Sequence, residues 1–160
     1  MSPEQRLTEL GLELPEVPAP DSSYVNCVRT GNLLYLSGGL PVKDGAIITG
    51  QVPRDLSAGD ATAAARNIIL NRLSVVRNEI GSLDQVVRIV NLQGFVNSAA
   101  DFHDHPKVIN GASDLLLEIF GEAGKHSRIA LGAAALPLNA AVEISLVVEV
   151  SQGVPNRPAP

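Results

Sequence analysis

The 160-residue sequence predicts an α+β fold in which a β-sheet carries helices on one face. A pair of short strand-forming segments precedes a long helix, and a β-branched strand separates that helix from a second one. Two further strand-forming segments follow the second helix. This order of strand pair, helix, strand, helix and two strands favours a single sheet covered on one side by the helices.

The elements in the first 50 residues are short. The turn sequence Thr30-Gly31-Asn32 lies between two runs of strand formers and therefore predicts a β-hairpin. A second turn, Lys43-Asp44-Gly45, leads into one more short strand. The predicted elements are a helix over Pro3–Leu12, a proline-rich connection over Leu14–Pro20, hairpin strands Val25–Val28 and Leu33–Leu36, and a third strand at Ile47-Ile48.

The first long helix has a defined start and end in the sequence. Ser57 is a suitable N-cap, with Asp60 as a weak capping-box partner, and Gly81 is expected to end the helix. Apolar residues at steps of three and four predict the face that covers the sheet: Ala61, Ala65, Ile69, Leu73, Val76 and Ile80. The opposite side is expected to face water and carries Arg66, Arg72, Arg77 and Glu79.

The rest of the chain predicts one helix and three strands. They are the strand Val86–Val96, the helix Val108–Phe120, and the final strands Ser127–Leu131 and Val142–Val150. A chain of 160 residues is expected to form one domain with a single core. We expect a helix and lead-in over residues 1–20, a core over 21–151 and a frayed tail over 152–160.

Composition and charge exclude several classes of function. A net charge of -5 with three Phe, two Tyr and no Trp argues against a nucleic-acid partner, which normally needs basic stripes and aromatic platforms. No stretch reaches eighteen uncharged apolar residues and no leader pattern is present, so we expect a cytoplasmic protein with no membrane partner. The single Cys27 excludes an intrachain disulfide and is interpreted as a buried, inert thiol.

Two charged residues inside apolar strands are the first functional candidates. Arg128 lies in the run Ser127–Leu131, and Glu143 lies in Val142–Val150. A charge in such a run costs several kcal/mol to desolvate unless it is paired or opens onto a site. A simple hairpin between the two strands would place Arg128 opposite Glu143 at about 5 Å between Cβ atoms, so an internal salt bridge is one interpretation.

The spacing of these residues also resembles a known family. Leu136-Pro137 follows Arg128 by eight residues, and Val142-Glu143-Ile144 follows that turn, which is similar to the C-terminal signature of the Rid (YjgF-type) reactive-intermediate deaminases. Tyr24 stands thirteen residues before Ser37-Gly38-Gly39-Leu40-Pro41, which is similar to the tyrosine and the S-G-Q-x-P segment of that family. Val108-Ile109-Asn110 before the second helical run agrees as well, and the resemblance extends from about Tyr24 to Val150.

The resemblance implies a fold and an assembly. The fold would be chorismate-mutase-like, with a mixed sheet, two helices packed on one face and the final strand inserted centrally. It also implies a homotrimer with clefts between subunits, each taking a small-molecule carboxylate. In that topology Arg128 and Glu143 are not neighbours across a hairpin.

The resemblance further implies an activity and its residues. The reaction would be hydrolytic deamination of small 2-imino or 2-enamino acids to 2-keto acids and ammonia, with no metal or other cofactor. Arg128 would bind the substrate carboxylate through its planar guanidinium, and Glu143 would position the attacking water. Residues expected to line the substrate are Tyr24, Ser37, Gly38, Asn110 and, through its backbone, Ala130.

Alternatives remain open for individual residues. Tyr24 is also compatible with an ordinary strand aromatic, and Asn110 with the first turns of a helix. Ala130 replaces a cysteine found in many family members and Gly39 replaces the usual glutamine, so the pocket is expected to differ from theirs. His126 would face the same side as Arg128 and could tune it.

Other functions are less consistent with the sequence. The segment Asp101-Phe102-His103-Asp104-His105 contains ligand-type residues but lacks a third ligand at motif spacing, so we interpret it as a solvated loop. A protein that binds 2-keto acids without chemistry would use the same cleft. RNA cleavage or translation inhibition, names given to some family members, agrees poorly with the acidic charge.

Overall fold

The computed structural model describes residues 1–153 and residue 155. Most of the tail predicted over residues 152–160 therefore lies outside the described residues. The helices are α1 (Pro3–Glu9), α2 (Ala58–Ile80) and α3 (His105–Phe120). The strands are β1 (Cys27–Thr30), β2 (Leu33–Leu36), β3 (Val42–Lys43), β4 (Ala46–Ile47), β5 (Val86–Asn97), β6 (Ser127–Ala133) and β7 (Val142–Val150).

The main sheet is mixed and has five strands in the order β1-β2-β7-β5-β6. The β5–β6 pair is parallel, and the other pairs are antiparallel. The last strand in sequence therefore lies at the centre of the sheet, as the family resemblance implied, and a β6–β7 hairpin does not form. Because β5 lies between them, β6 and β7 share no ladder hydrogen bonds.

The helices α2 and α3 pack against one face of this sheet. Ser57 caps α2 as predicted: its hydroxyl accepts from the Asp60 backbone N–H at 3.0 Å and donates to the Asp60 carboxylate at 2.8 Å. Gly81 ends the helix with φ of +88°, a value that suits glycine. The whole predicted stripe is buried: Ala61, Ala65, Ile69, Leu73, Val76 and Ile80.

The structure corrects several sequence predictions. Strand β1 is Cys27–Thr30 rather than Val25–Val28, and α3 begins at His105 rather than Val108. The first helix ends at Glu9 rather than Leu12, because Gly11 adopts a left-handed φ of +63° that breaks the helix. The third strand is Ala46–Ile47, and it pairs with β3 in a separate ribbon instead of joining the main sheet. Arg72, expected to face water, is only 4% exposed. It lies at the edge of the apolar stripe and is covered by the segment that follows β2.

The second face of the sheet has no helix over it within the described chain. Large apolar side chains on this face are at least two-fifths exposed: Val28, Tyr35, Ile129 and Leu131. The cross-strand register places them on the side opposite the buried Leu92 and Leu146. We refer to this surface as the open face. Within the described residues, no helix is both long and apolar enough to cross a membrane.

Candidate active site

Glu143 lies on the open face because the residues next to it in β7 point into the core. Its neighbours Val142 and Ile144 are fully buried, and its cross-strand partner is Phe95 of β5. On the other side of β7, the segment after β2 continues the sheet by a short bridge. Gly39 N donates to Ile144 O at 2.8 Å, and Ile144 N donates to Gly39 O at 3.1 Å. This bridge brings Gly38 beside Glu143.

The glutamate side chain folds over Gly38, which explains the glycine there. A Cβ atom on Gly38 would lie 2.3 Å from Glu143 Oε1, so any larger residue would displace the carboxylate. The carboxylate opens into a cleft of about 330 Å³ lined by Gly38, Phe95, Leu136, Glu143 and Ser145. Burial raises the pKa of Glu143, and the nearby charge of Arg72 partly opposes this. A raised pKa suits a group that exchanges a proton with water near neutral pH.

Sequence reasoning missed the role of Arg72 at this cleft. Its guanidinium donates to Ser37 O at 2.9 Å and to Asn71 Oδ1 at 3.0 Å, while its buried Nε has no acceptor. Desolvation lowers its pKa, and the charge of Glu143 is among the interactions that oppose this effect. No carboxylate lies within ion-pair distance of Arg72 in the described chain. Its charge therefore acts on Glu143 only through a longer-range electrostatic interaction.

Gly39 provides the space that Arg72 occupies. A Cβ atom at residue 39 would lie 2.4 Å from Arg72 Nε. Two features of the sequence could have indicated that Arg72 is buried. Gly39 stands in place of the usual glutamine of the family, and Arg72 is adjacent to Leu73 of the buried stripe. The two features explain each other, because the arginine side chain fills the space beside a residue that has none.

Tyr24 precedes a segment that is hydrogen-bonded to Ser37, the residue before Gly38. The Ser37 hydroxyl donates to Val25 O at 2.7 Å, and its backbone N–H donates to Asn26 O at 3.0 Å. These bonds fasten the segment containing Tyr24 to the start of the Ser37-Gly38-Gly39 turn. The Tyr24 side chain is 57% exposed, so its ring is available to a ligand or to another chain.

Arg128 lies on the opposite face of the sheet from Glu143. Its partner in the parallel ladder is Leu92, which pairs in turn with Leu146, and both leucines are buried under the helices. The Arg128 side chain therefore runs along the inner face of the edge strand β6 towards α3. There its Nη1 donates to Ser113 Oγ at 3.0 Å. Within the described chain this half-buried guanidinium has no carboxylate partner.

The remaining predicted residues on this side are grouped around α3 and β6. Asn110 is exposed on α3, about one turn before Ser113. Ala130 points to the same face as Arg128 and packs against the core, while its register partner is Gly94 of β5. His126 lies two residues before Arg128 and contacts Ser113 at 2.9 Å. It faces the same side as Arg128, as the strand alternation predicted.

The predicted site residues therefore lie in two separate groups, which we call half-sites. The first half-site contains Tyr24, Ser37, Gly38 and Glu143, and the second contains Asn110, Arg128 and Ala130. The alternative of an internal Arg128–Glu143 salt bridge is wrong, because the two side chains emerge on opposite faces of the sheet. Within the described chain, the fold does not bring the two half-sites together.

The loop with ligand-type residues has a different environment. Its His105 is the first residue of α3, and its Nε2 lies 3.0 Å from Ser98 Oγ. The Phe102 ring meets His105 edge to face, with centroids 5.4 Å apart. Across the residues that the structure describes, no three His, Cys, Asp or Glu side chains are arranged to hold a metal ion.

Comparison with known proteins identifies the family. Residues 4–150 match the family model described as "YjgF/chorismate mutase-like, putative endoribonuclease". The chain belongs to the YjgF family. The match covers both half-sites and all five strands of the main sheet.

Relatives within the YjgF family carry different names. The chain is 44% identical to protein TCP17 of Trypanosoma cruzi, over 91% of this chain and 92% of that protein. It is 30% identical to the 2-iminobutanoate/2-iminopropanoate deaminase of Dermatophagoides farinae, over 87% of this chain and 94% of that protein. Among solved structures it resembles Atu1372 of Agrobacterium tumefaciens, whose function is unknown, with 43% identity, a TM-score of 0.85 and coverage of 93% and 92%.

Proposed function

We propose that this protein hydrolyses small 2-imino and 2-enamino acids to 2-keto acids and ammonia, in clefts formed between copies of the chain. The observation that carries the proposal is the pair of half-sites. One presents a half-buried guanidinium that has no carboxylate partner among the described residues, and the other presents a half-buried carboxylate held over Gly38. A relative that is 30% identical is named as a deaminase of this substrate class.

Assembly of a homotrimer would complete the cleft. The open face exposes apolar side chains, including Tyr35, Ile129 and Leu131, that another sheet could cover. Strand β6, which carries Arg128, is an edge strand of the main sheet. A second copy that places this edge beside the open face of the first copy would bring its Arg128 towards Glu143. A closed ring repeats the same contact in every subunit.

Arg128 supports recognition of a short acid. A guanidinium can make two parallel hydrogen bonds to a carboxylate, and Ser113 occupies only one N–H group of Arg128. In a partly desolvated site each such bond contributes on the order of 1.5 to 3 kcal/mol. The substrate carboxylate would thus be fixed at the arginine, with its C2 carbon directed to the partner's glutamate.

Glu143 supports the hydrolytic step. A water molecule adds to the C2 carbon of the protonated imine and gives one proton to the Glu143 carboxylate, which forms a carbinolamine. Glu143 returns that proton to the nitrogen, the C–N bond breaks to release ammonia, and the hydroxyl proton passes to this ammonia as the C=O bond forms. The products are the 2-keto acid and ammonium. Since imines hydrolyse spontaneously, orientation and modest electrostatic help are sufficient.

The other residues would shape the cleft. Tyr24 supplies a ring wall and a hydroxyl group, and the Ser37-Gly38 backbone lies beside the Glu143 carboxylate. From the second copy, Asn110 would reach the cleft from α3, and Ala130 would contribute backbone groups two residues beyond Arg128.

The first test measures 2-keto acid release from imines generated in situ by an amino-acid oxidase. We expect the wild type to accelerate hydrolysis, and Arg128→Ala and Glu143→Gln to remove most of this acceleration. Arg66→Ala is the matched control, because Arg66 forms an exposed ion pair with Glu118, and neither residue belongs to a half-site. Absence of acceleration with small, branched and aromatic imino acids would contradict the proposal. Binding of a 2-keto acid without turnover would instead indicate a non-catalytic carboxylate-binding protein.

The shared cleft has a sharper test in mixed oligomers. If each cleft takes Arg128 from one copy and Glu143 from the next, a trimer refolded from equal amounts of Arg128→Ala and Glu143→Gln chains contains intact clefts. Random mixing gives about one quarter of the wild-type number, since each cleft needs an intact arginine and an intact glutamate from different copies. A site within one chain gives none, so no recovery of activity would refute the shared cleft.

A further inference from the structure

We propose that His126 and Ser113 form a hydrogen-bonded relay that positions Arg128 for carboxylate binding, with His126 in its neutral form. The inference rests on the proposed function of Arg128. The relay runs from Arg128 Nη1 to Ser113 Oγ at 3.0 Å, from Ser113 Oγ to His126 Nε2 at 2.9 Å, and from His126 Nδ1 to Gly124 O at 2.6 Å.

The direction of each bond follows from its ends. A carbonyl oxygen only accepts, so His126 Nδ1 must carry the proton that it shares with Gly124 O. In the neutral imidazole the other nitrogen, Nε2, is then an acceptor, and the Ser113 hydroxyl must donate to it. The Ser113 oxygen keeps its lone pairs for the Arg128 N–H group. Neutral His126 therefore satisfies all three bonds at once.

A positively charged His126 would fit this arrangement less well. Its Nε2–H would become a donor, so both lone pairs of the Ser113 oxygen would face cations and the serine proton would lose the histidine as its acceptor. The carbonyl of Gly124 thus fixes the histidine tautomer, the histidine orients the serine hydroxyl, and the hydroxyl orients the guanidinium. Each group in the relay acts on Arg128 rather than on the substrate.

The local structure holds the relay in place. Ser113 lies within α3, so its backbone is fixed by helix hydrogen bonds. Gly124 ends a short 3-10 turn over residues 121–124, two residues before β6. A Cβ atom on Gly124 would lie 2.3 Å from Leu116 O, so Gly124, whose carbonyl is bonded to His126, packs tightly against α3. Ser113 in the middle of the relay and Gly124 at its end are therefore both anchored to α3.

The relay gives Arg128 a defined rotamer without neutralising it. A carboxylate partner would compete with the substrate, whereas a serine hydroxyl supplies one hydrogen bond and leaves the positive charge available. Holding the side chain in the binding geometry also reduces the conformational entropy lost when the substrate binds. We expect the relay to affect substrate affinity more strongly than the chemical step.

The test compares variants that remove the hydrogen-bonding group at Ser113 or His126 with variants that keep it. Ser113→Ala and His126→Phe remove a bond, while Ser113→Thr keeps the hydroxyl and His126→Gln keeps an acceptor near the position of Nε2. We expect the first pair to raise KM for imino acids about tenfold with kcat nearly unchanged, and the second pair to restore most of the loss. Equal losses in both pairs, or a fall in kcat alone, would refute positioning.

A second measurement does not depend on turnover. In the arginine side-chain NMR spectrum, a held guanidinium gives separate Nη signals, because rotation about its C–N bonds is slowed. We expect separate Arg128 signals in the wild type and merged signals in Ser113→Ala and His126→Phe. Unchanged signals in both variants would refute the relay even if the protein is a deaminase. If the wild type shows no turnover but its separate Arg128 signals merge in both variants, the proposed function is refuted and the relay is supported.

Discussion

Replacing Gly39 with alanine tests whether the buried Arg72 is fixed in place. The new Cβ atom would lie 2.4 Å from Arg72 Nε and 2.9 Å from its Cδ. The backbone of Gly39 has no positive φ, so alanine itself is compatible with the chain there. The cost of the substitution therefore depends on whether the arginine side chain can move away.

The structure indicates that Arg72 cannot move without loss. It is 4% exposed, and it donates to Ser37 O and Asn71 Oδ1. Overpacking a core position costs about 1 to 3 kcal/mol, and losing one hydrogen bond from a charged group costs about 1.5 to 3 kcal/mol. We expect Gly39→Ala to lower the free energy of unfolding by about 3 kcal/mol.

Urea unfolding at a fixed protein concentration measures this cost, because any assembly of the chain would make its stability depend on concentration. The deciding comparison is a double-mutant cycle with Arg72→Ala. Without the arginine side chain, Gly39→Ala should cost less than about 0.5 kcal/mol. If the alanine costs the same in both backgrounds, or costs little in the wild type, the steric argument linking Gly39 to Arg72 is wrong.

Three further predictions follow from other contacts. Gly111→Ala should lower the free energy of unfolding by about 3 kcal/mol, because its Cβ would lie 2.2 Å from the Thr62 carbonyl oxygen where α3 meets α2. In the same urea titrations the control Gly59→Ala should be neutral or slightly stabilising, since its Cβ would have nothing closer than 3.7 Å. Burial raises the pKa of Glu143, so the unfolded chain ionises first as pH rises and the folded state loses stability above the ordinary carboxyl range. Glu143→Gln should therefore be more stable than the wild type at pH 7 and equal to it at pH 3, and a variant that is less stable at pH 7 would contradict this. Burial raises the pKa of Cys27 to about 12, so iodoacetamide at pH 8 should label the thiol only after denaturation, as mass spectrometry can show.

Several parts of the fold could be predicted from the sequence because they depend on neighbouring residues. The capping of α2 by Ser57 and its end at Gly81 follow from local hydrogen bonding and from the freedom of glycine. The buried stripe follows from the helical period, and the hairpin of β1 and β2 follows from the turn at Gly31. These are short-range rules that operate within a few residues.

The central position of β7 could not be derived from such rules. Consecutive strands most often pair, so local reasoning alone leads to a β6–β7 hairpin with Arg128 opposite Glu143. The family resemblance supplied the correct topology, which the structure confirms. The burial of Arg72 was also inaccessible, because the segment that covers it lies 35 residues away in sequence.

The sequence by itself determined the helices, the strands, the family signature and the two charged residues that belong to it. Only the tertiary structure decided that Arg128 and Glu143 lie on opposite faces of the sheet, and that Arg128 is bonded to Ser113 while Glu143 lies against Gly38. The physical reason is that the face on which a strand residue emerges depends on the register with its partners. That register is fixed by long-range packing of the whole sheet under α2 and α3.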